Sequence, residues 1–76
     1  MDSWSEINEG YFHLEDGDWN LYLRTDDSGA MLEVYDGTSL ATTASWGPAA
    51  TARGGGIEWC MRQALKVLEA EKKKRS

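Results

Sequence analysis

The sequence predicts an α+β domain: a single antiparallel meander sheet of three to four strands, with one C-terminal amphipathic helix packed on one face. Three observations lead to this. Between Tyr11 and Trp46 apolar and polar residues alternate with period two, and Asp16-Gly17, Asp26-Asp27-Ser28-Gly29 and Asp36-Gly37 interrupt the alternation where hairpin turns belong. Gly47-Pro48 then ends the strand pattern. From Ile57 the apolar residues recur every three to four positions, which is helix spacing. A chain of 76 residues is one domain, read as residues 1-76, with the sheet over about 11-46, a connector at 47-56 and the helix over about 57-74.

Each element has its own signal. Ser3-Trp4-Ser5-Glu6 fits a capping box and predicts a short N-terminal helical turn, which Gly10 ends. In the first strand Phe12 and Leu14 alternate with Tyr11, His13 and Glu15. In the second, Trp19, Leu21 and Leu23 alternate with Asn20, Tyr22 and Arg24, and in the third, Leu32 and Val34 alternate with Met31, Glu33 and Tyr35. Leu40 to Trp46 is a fourth, weaker strand. Ile57, Cys60, Met61, Ala64, Leu65, Val67 and Leu68 fall in one helical stripe about 160° wide, suited to lying on a sheet, and Lys72 to Arg75 close the helix.

One helix covers one sheet face. If Phe12, Leu14, Trp19, Leu21, Leu23, Leu32 and Val34 face it, then Tyr11, His13, Tyr22, Arg24, Met31, Glu33 and Tyr35 form the opposite, open face. That face reads either as a protein contact surface, since tyrosine supplies contact area with a polar tip, or as a solvated face with cross-strand aromatic pairs.

Composition narrows the function class. Hydrophobic residues make up 41% of the chain and four are tryptophan, which predicts a folded domain despite a net charge of -5. A single cysteine forms no internal disulfide, no apolar run has the length of a membrane helix, and Met1-Asp2-Ser3-Trp4 does not open a signal peptide, so the expected location is cytoplasmic. Residues 1-52 carry ten acids against Arg24, whereas residues 53-76 carry seven bases against Glu58, Glu69 and Glu71. An acidic body repels nucleic acid and attracts basic protein surfaces, so the expected partner is a protein with a basic surface, and direct binding of nucleic acid is not expected.

The chemistry-bearing motifs are few. Arg53-Gly54-Gly55-Gly56-Ile57-Glu58 places three glycines before the helix, but Glu58 in its first turn repels phosphate, so the run is read as a hinge. Asp16-Gly17-Asp18-Trp19-Asn20 begins like a calcium loop, yet Leu21 stands where such a loop needs glycine, which leaves an acidic hairpin tip. His13 alternates onto the open face while Cys60 sits in the apolar helical stripe, so the two are expected on opposite sides of the sheet. No catalytic set, cofactor or metal is expected. The basic end Arg53, Arg62, Lys66 and Lys72 to Arg75 allows a second reading, a nucleic-acid-binding module. The order of strands, connector and basic helix resembles the double-stranded-RNA-binding domain, although Gly54-Gly55-Gly56-Ile57-Glu58 replaces the lysine cluster that starts its last helix.

Candidate partner-binding residues are of two kinds. Glu15, Asp16, Asp18 and Asp36 are expected to gather at one end of the meander, with Asp26 and Asp27 at the other, and carboxylates spaced on a rigid scaffold can imitate a phosphate backbone. Tyr22, Tyr35 and Trp59 are the candidate apolar anchors; Trp59 lies outside the helical stripe among Arg62, Gln63, Lys66 and Ala70. Its alternative is burial under Trp4 and Ile7.

In size, acidity and layout the whole chain resembles the small phage-encoded inhibitors of bacterial defence, the anti-CRISPR proteins, a group that shares no common motif. The resemblance implies a non-enzymatic protein of the host bacterial cytoplasm that binds a CRISPR effector subunit and blocks DNA recognition. Besides the nucleic-acid module, a structural domain that dimerises through its open sheet face remains as an alternative.

Overall fold

The computed structural model describes residues 4–75. Five antiparallel strands follow one another in space as in sequence: β1 (Ser5–Asn8), β2 (Tyr11–Asp16), β3 (Trp19–Asp26), β4 (Gly29–Asp36) and β5 (Ser39–Trp46). Two helices complete the chain, α1 (Pro48–Gly54) and α2 (Ile57–Arg75). Both lie on the same face of the sheet, α2 against β3, β4 and β5 and α1 against β4.

The alternation read from the sequence becomes the two faces. Pairing of Leu14 with Leu21, Leu21 with Val34 and Leu23 with Leu32 puts these side chains on the helix side, where all five are buried. Cys60, Ala64 and Leu68 of α2 close the core from above, and Phe12 and Trp19 pack at its margin. Met61, Leu65 and Val67 pack partly buried beside them, but Ile57, the first residue of the predicted stripe, is 40% exposed. Glu71 lies on the same stripe and is 6% exposed, so the apolar face of the helix ends in a carboxylate.

Two sequence expectations need correction. Ser5 and Glu6 belong to a strand, with Ser5 opposite His13 and Glu6 opposite Phe12, and no helical turn forms there. The sheet therefore has a fifth strand. Ser3, the expected cap, lies outside the described residues. The Glu6 carboxylate does reach back to a backbone donor, accepting from Gly10 N–H at 3.3 Å, but that donor belongs to the β1–β2 turn instead of a helix start.

The connector is also more ordered than expected. Residues 48–54 form α1, with Pro48 at its first position, where its missing N–H costs nothing. Thr51 donates its hydroxyl to the Gly47 carbonyl at 3.0 Å. The glycine run thus separates two helices, not a sheet from a helix. Gly55 (φ 107°) caps α1 in the left-handed region and donates to the Ala52 carbonyl. Gly54 is needed for a different reason: a Cβ there would overlap the indole ring of Trp59.

Candidate functional site

The open face of the sheet carries a connected aromatic row. Antiparallel register sets His13 opposite Tyr22, Tyr22 opposite Glu33, Tyr11 opposite Arg24 and Tyr35 opposite Asn20. Tyr22 is the hub. Its ring stacks on His13 with centroids 4.8 Å apart and an interplanar angle of 24°. Tyr11 stacks on it from the other side at 6.2 Å, and Tyr35 meets it edge-on at 5.7 Å and 88°. The Arg24 guanidinium lies 4.9 Å from the centre of the Tyr11 ring. The His13 imidazole donates from Nε2 to Asn20 Oδ1 at 2.8 Å, which fixes the ring against the row.

These contacts hold the rings half-buried before any partner arrives, so little side-chain freedom remains to be lost on binding. Tyr11, Asn20, Tyr22, Glu33, Tyr35 and Gly37 line a shallow concavity of about 380 Å³. Met31, 54% exposed, and Leu40, 52% exposed, add apolar area on the same face. Leu40 was not among the predicted face residues. A register irregularity between Val34 and Tyr35 sets it opposite Tyr35, and the parity of β5 alone does not show this.

The acidic residues divide as the meander requires. The β2–β3 and β4–β5 turns are adjacent, with Gly37 N–H donating to the Asp18 carbonyl at 2.8 Å, so Glu15, Asp16, Asp18 and Asp36 share one end. At the other end Thr25 N–H donates to the Gly10 carbonyl at 2.7 Å, which brings Asp26 and Asp27 beside the β1–β2 turn with Glu9.

The first of these ends is partly neutralised by the chain itself. Lys72 Nζ lies 2.5 Å from Asp16 Oδ2, and Arg75 Nη1 lies 3.2 Å from Asp36 Oδ2. Arg75 also sits 5.7 Å from the Trp19 ring centre and 3.6 Å from the buried Glu71 carboxylate, which Lys74 approaches to 3.4 Å. The last turn of α2 is therefore a clasp on the acidic end of the sheet. Its hydrogen bond to Asp16 raises the Lys72 ammonium above its ordinary value. That contribution to stability is complete below pH 10.5 and is lost as pH rises through the higher folded-state value. Substituting Lys72 and Arg75 together by serine is expected to lower Tm modestly at low ionic strength, with a smaller loss in high salt. Thermal scans at two salt concentrations check this, because exposed pairs are screened.

At the opposite end no such clasp forms. Asp26 Oδ1 accepts from Ser28 Oγ at 2.6 Å and from Ser28 N–H at 2.8 Å. These bonds favour the charged carboxylate and hold its pKa below the ordinary 3.8, and the associated stability is present above that value and lost as pH falls through the lower folded-state one. In Ser28→Ala the Asp26 carboxyl is expected to titrate higher than in the parent chain while the neighbouring Asp27 is unchanged. Carbon-detected NMR titration reads both.

Trp59 is half-buried, with its ring edge-on to Trp46 at a centroid distance of 6.0 Å and Gly54 against it. Trp46 and α1 cover it, and Trp4 packs elsewhere on the core while Ile7 is 49% exposed. Trp59 thus lies on the helix side of the sheet, apart from Tyr22 and Tyr35. His13 and Cys60 lie on opposite sides of the sheet, Cys60 buried with its thiol 3.9 Å from the Thr51 hydroxyl. Among the described residues, no three His, Cys, Asp or Glu side chains converge as metal ligands, and no helix is long and apolar enough to cross a membrane.

The burial of Glu71 and the clasp escaped sequence reading, although signals for both were present. Glu71 follows Ala64 and Leu68 at helical spacing, and an α-helix of 19 residues is about 28 Å long, close to the roughly 26 Å of an eight-residue strand. A helix of that length lying along the sheet brings its basic last turn to the turn end. No protein-family model matches the chain, and no curated protein or solved structure matches it.

Proposed function

We propose that this chain is a non-enzymatic, protein-binding inhibitor that docks on a basic, nucleic-acid-handling partner and blocks that partner's recognition of DNA, in the manner of an anti-CRISPR protein. The preorganised tyrosine row centred on Tyr22 carries this reading. Aromatic groups held in place by their neighbours on a rigid sheet make binding anchors at low entropic cost. Tyr22 and Tyr35 supply apolar contact, and Glu15, Asp18, Asp26 and Asp27 at the two ends of the sheet supply charge toward basic DNA-binding residues. Asp16 and Asp36 contribute only where the partner's cations displace Lys72 and Arg75. The same clasp favours a protein partner over nucleic acid, since two cations of the basic tail are engaged with the chain's own carboxylates.

The test is capture by the immobilised full chain from bacterial lysate carrying an active CRISPR system, with and without nuclease, followed by DNA competition on the recovered partner. A nuclease-resistant effector subunit whose DNA binding the chain displaces is the expected result. Capture that disappears with nuclease, or a partner that still binds DNA, overturns the reading.

A further inference from the structure

The two outer strands of the sheet are not equivalent. β1 has four residues, all exposed, a register irregularity between Glu6 and Asn8, and the charge of Glu6 at its centre. These features discourage another strand from pairing with it. β5 has eight residues, Ser39-Leu40-Ala41-Thr42-Thr43-Ala44-Ser45-Trp46, with no charge and no proline. Its inner side pairs with β4, in unbroken register from Thr42 to Trp46, and among the described residues no strand lies on its outer side. α1 turns back against β4 and leaves that edge open. Ser39, Leu40, Thr43 and Ser45 are exposed along it.

We propose that the β5 edge pairs antiparallel with the β5 edge of a second copy of this chain, joining two sheets across a twofold axis. The choice of a second copy follows from charge. A chain with net charge -5 repels its own copies over most of its surface. Along β5 there is nothing to repel, and serine and threonine side chains brought opposite one another form favourable cross-strand pairs. The edge is self-complementary: unpaired backbone donors and acceptors of one copy meet those of the other in the isologous arrangement that a twofold axis requires. The pairing also makes the two open faces continuous, so that the tyrosine rows lie side by side on one surface. It does not depend on the identity of any other partner.

Sedimentation equilibrium of the purified full chain over a wide concentration range is the first test, with a monomer–dimer equilibrium expected. Replacing Thr43 and Ser45 together by lysine places like charges across the twofold, and should weaken association by about tenfold or more. The corresponding double glutamate variant should behave the same way, and mixing the two variants should restore a dimer. Tyr22→Ala, at the middle of the open face, should leave association unchanged. In the unsubstituted chain, backbone amides of β5 should gain exchange protection as concentration rises, a readout that does not depend on any variant folding. A chain monomeric at millimolar concentration overturns the proposal. So does a dimer that survives both charged variants but is lost in Tyr22→Ala, because that dimer would join open faces instead of edges.

Discussion

Gly29→Ala is expected to unfold most of the population at a temperature where the parent chain is folded. Gly29 has φ 126°, a conformation that side-chain-bearing residues rarely adopt, and a Cβ there would overlap the carbonyl oxygen of Trp46. Strain and overpacking together cost about 3–5 kcal/mol. A domain of 76 residues has only about 4–11 kcal/mol in total. The obstacle is backbone, so no rotamer change relieves it, and the disturbance falls where β4, β5 and the start of α1 meet. Gly17→Ala is the matched control. Gly17 also has a positive φ, 62°, but a Cβ there meets nothing within 4 Å, so only the left-handed backbone cost of about 1–2 kcal/mol applies. Thermal unfolding followed by circular dichroism should therefore show a much larger fall in Tm for Gly29→Ala. Equal falls would mean that the approach of Gly29 to Trp46 does not limit stability.

Tyr22→Ala is expected to produce the largest loss of partner binding of any single substitution on the open face, about 30- to 1000-fold, corresponding to roughly 2–4 kcal/mol. Three rings lean on Tyr22, so its removal takes away one anchor and the support of His13, Tyr11 and Tyr35. Because the face is open, the core beneath it is untouched and the Tm should change little. Affinity for the captured effector subunit, measured beside a thermal scan, separates the two effects. A Tyr22→Phe variant keeps the stacked ring and should retain most of the binding. Should Tyr22→Ala bind as well as the parent, the open face is not the docking surface and the acidic ends become the sole candidates.

The clasp changes how acidic substitutions must be designed. Asp16→Asn and Asp36→Asn would each break a contact with α2, so weaker binding in either variant mixes a folding effect with a recognition effect. Asp18→Asn and Asp27→Asn avoid this ambiguity, since neither carboxylate is engaged by the last turn of α2. Asp26 is held by Ser28 and should be changed together with it.

Sequence alone was enough for the meander from β2 to β4, the two faces of its strands and the helical stripe of α2. Period-two and period-3.6 patterns are local, and one buried face imposes them residue by residue on Leu14, Leu21, Leu23, Leu32, Val34, Cys60, Ala64 and Leu68. The grouping of the acidic turns was legible for the same reason, since turns in a meander alternate between ends. β1 was not legible. Ser5-Glu6-Ile7-Asn8 has no apolar alternation, and it is a strand only because β2 offers it an edge. α1 carried a usable signal in Pro48 followed by two alanines, but its small residues resembled a linker. The cover over Trp59, the exposure of Leu40, the burial of Glu71 and the pairing of Lys72 with Asp16 and Arg75 with Asp36 were decided by tertiary structure. Each joins residues distant in the chain, and the distance between them depends on how far α2 runs along the sheet and on where β5 slips its register, neither of which a local pattern records.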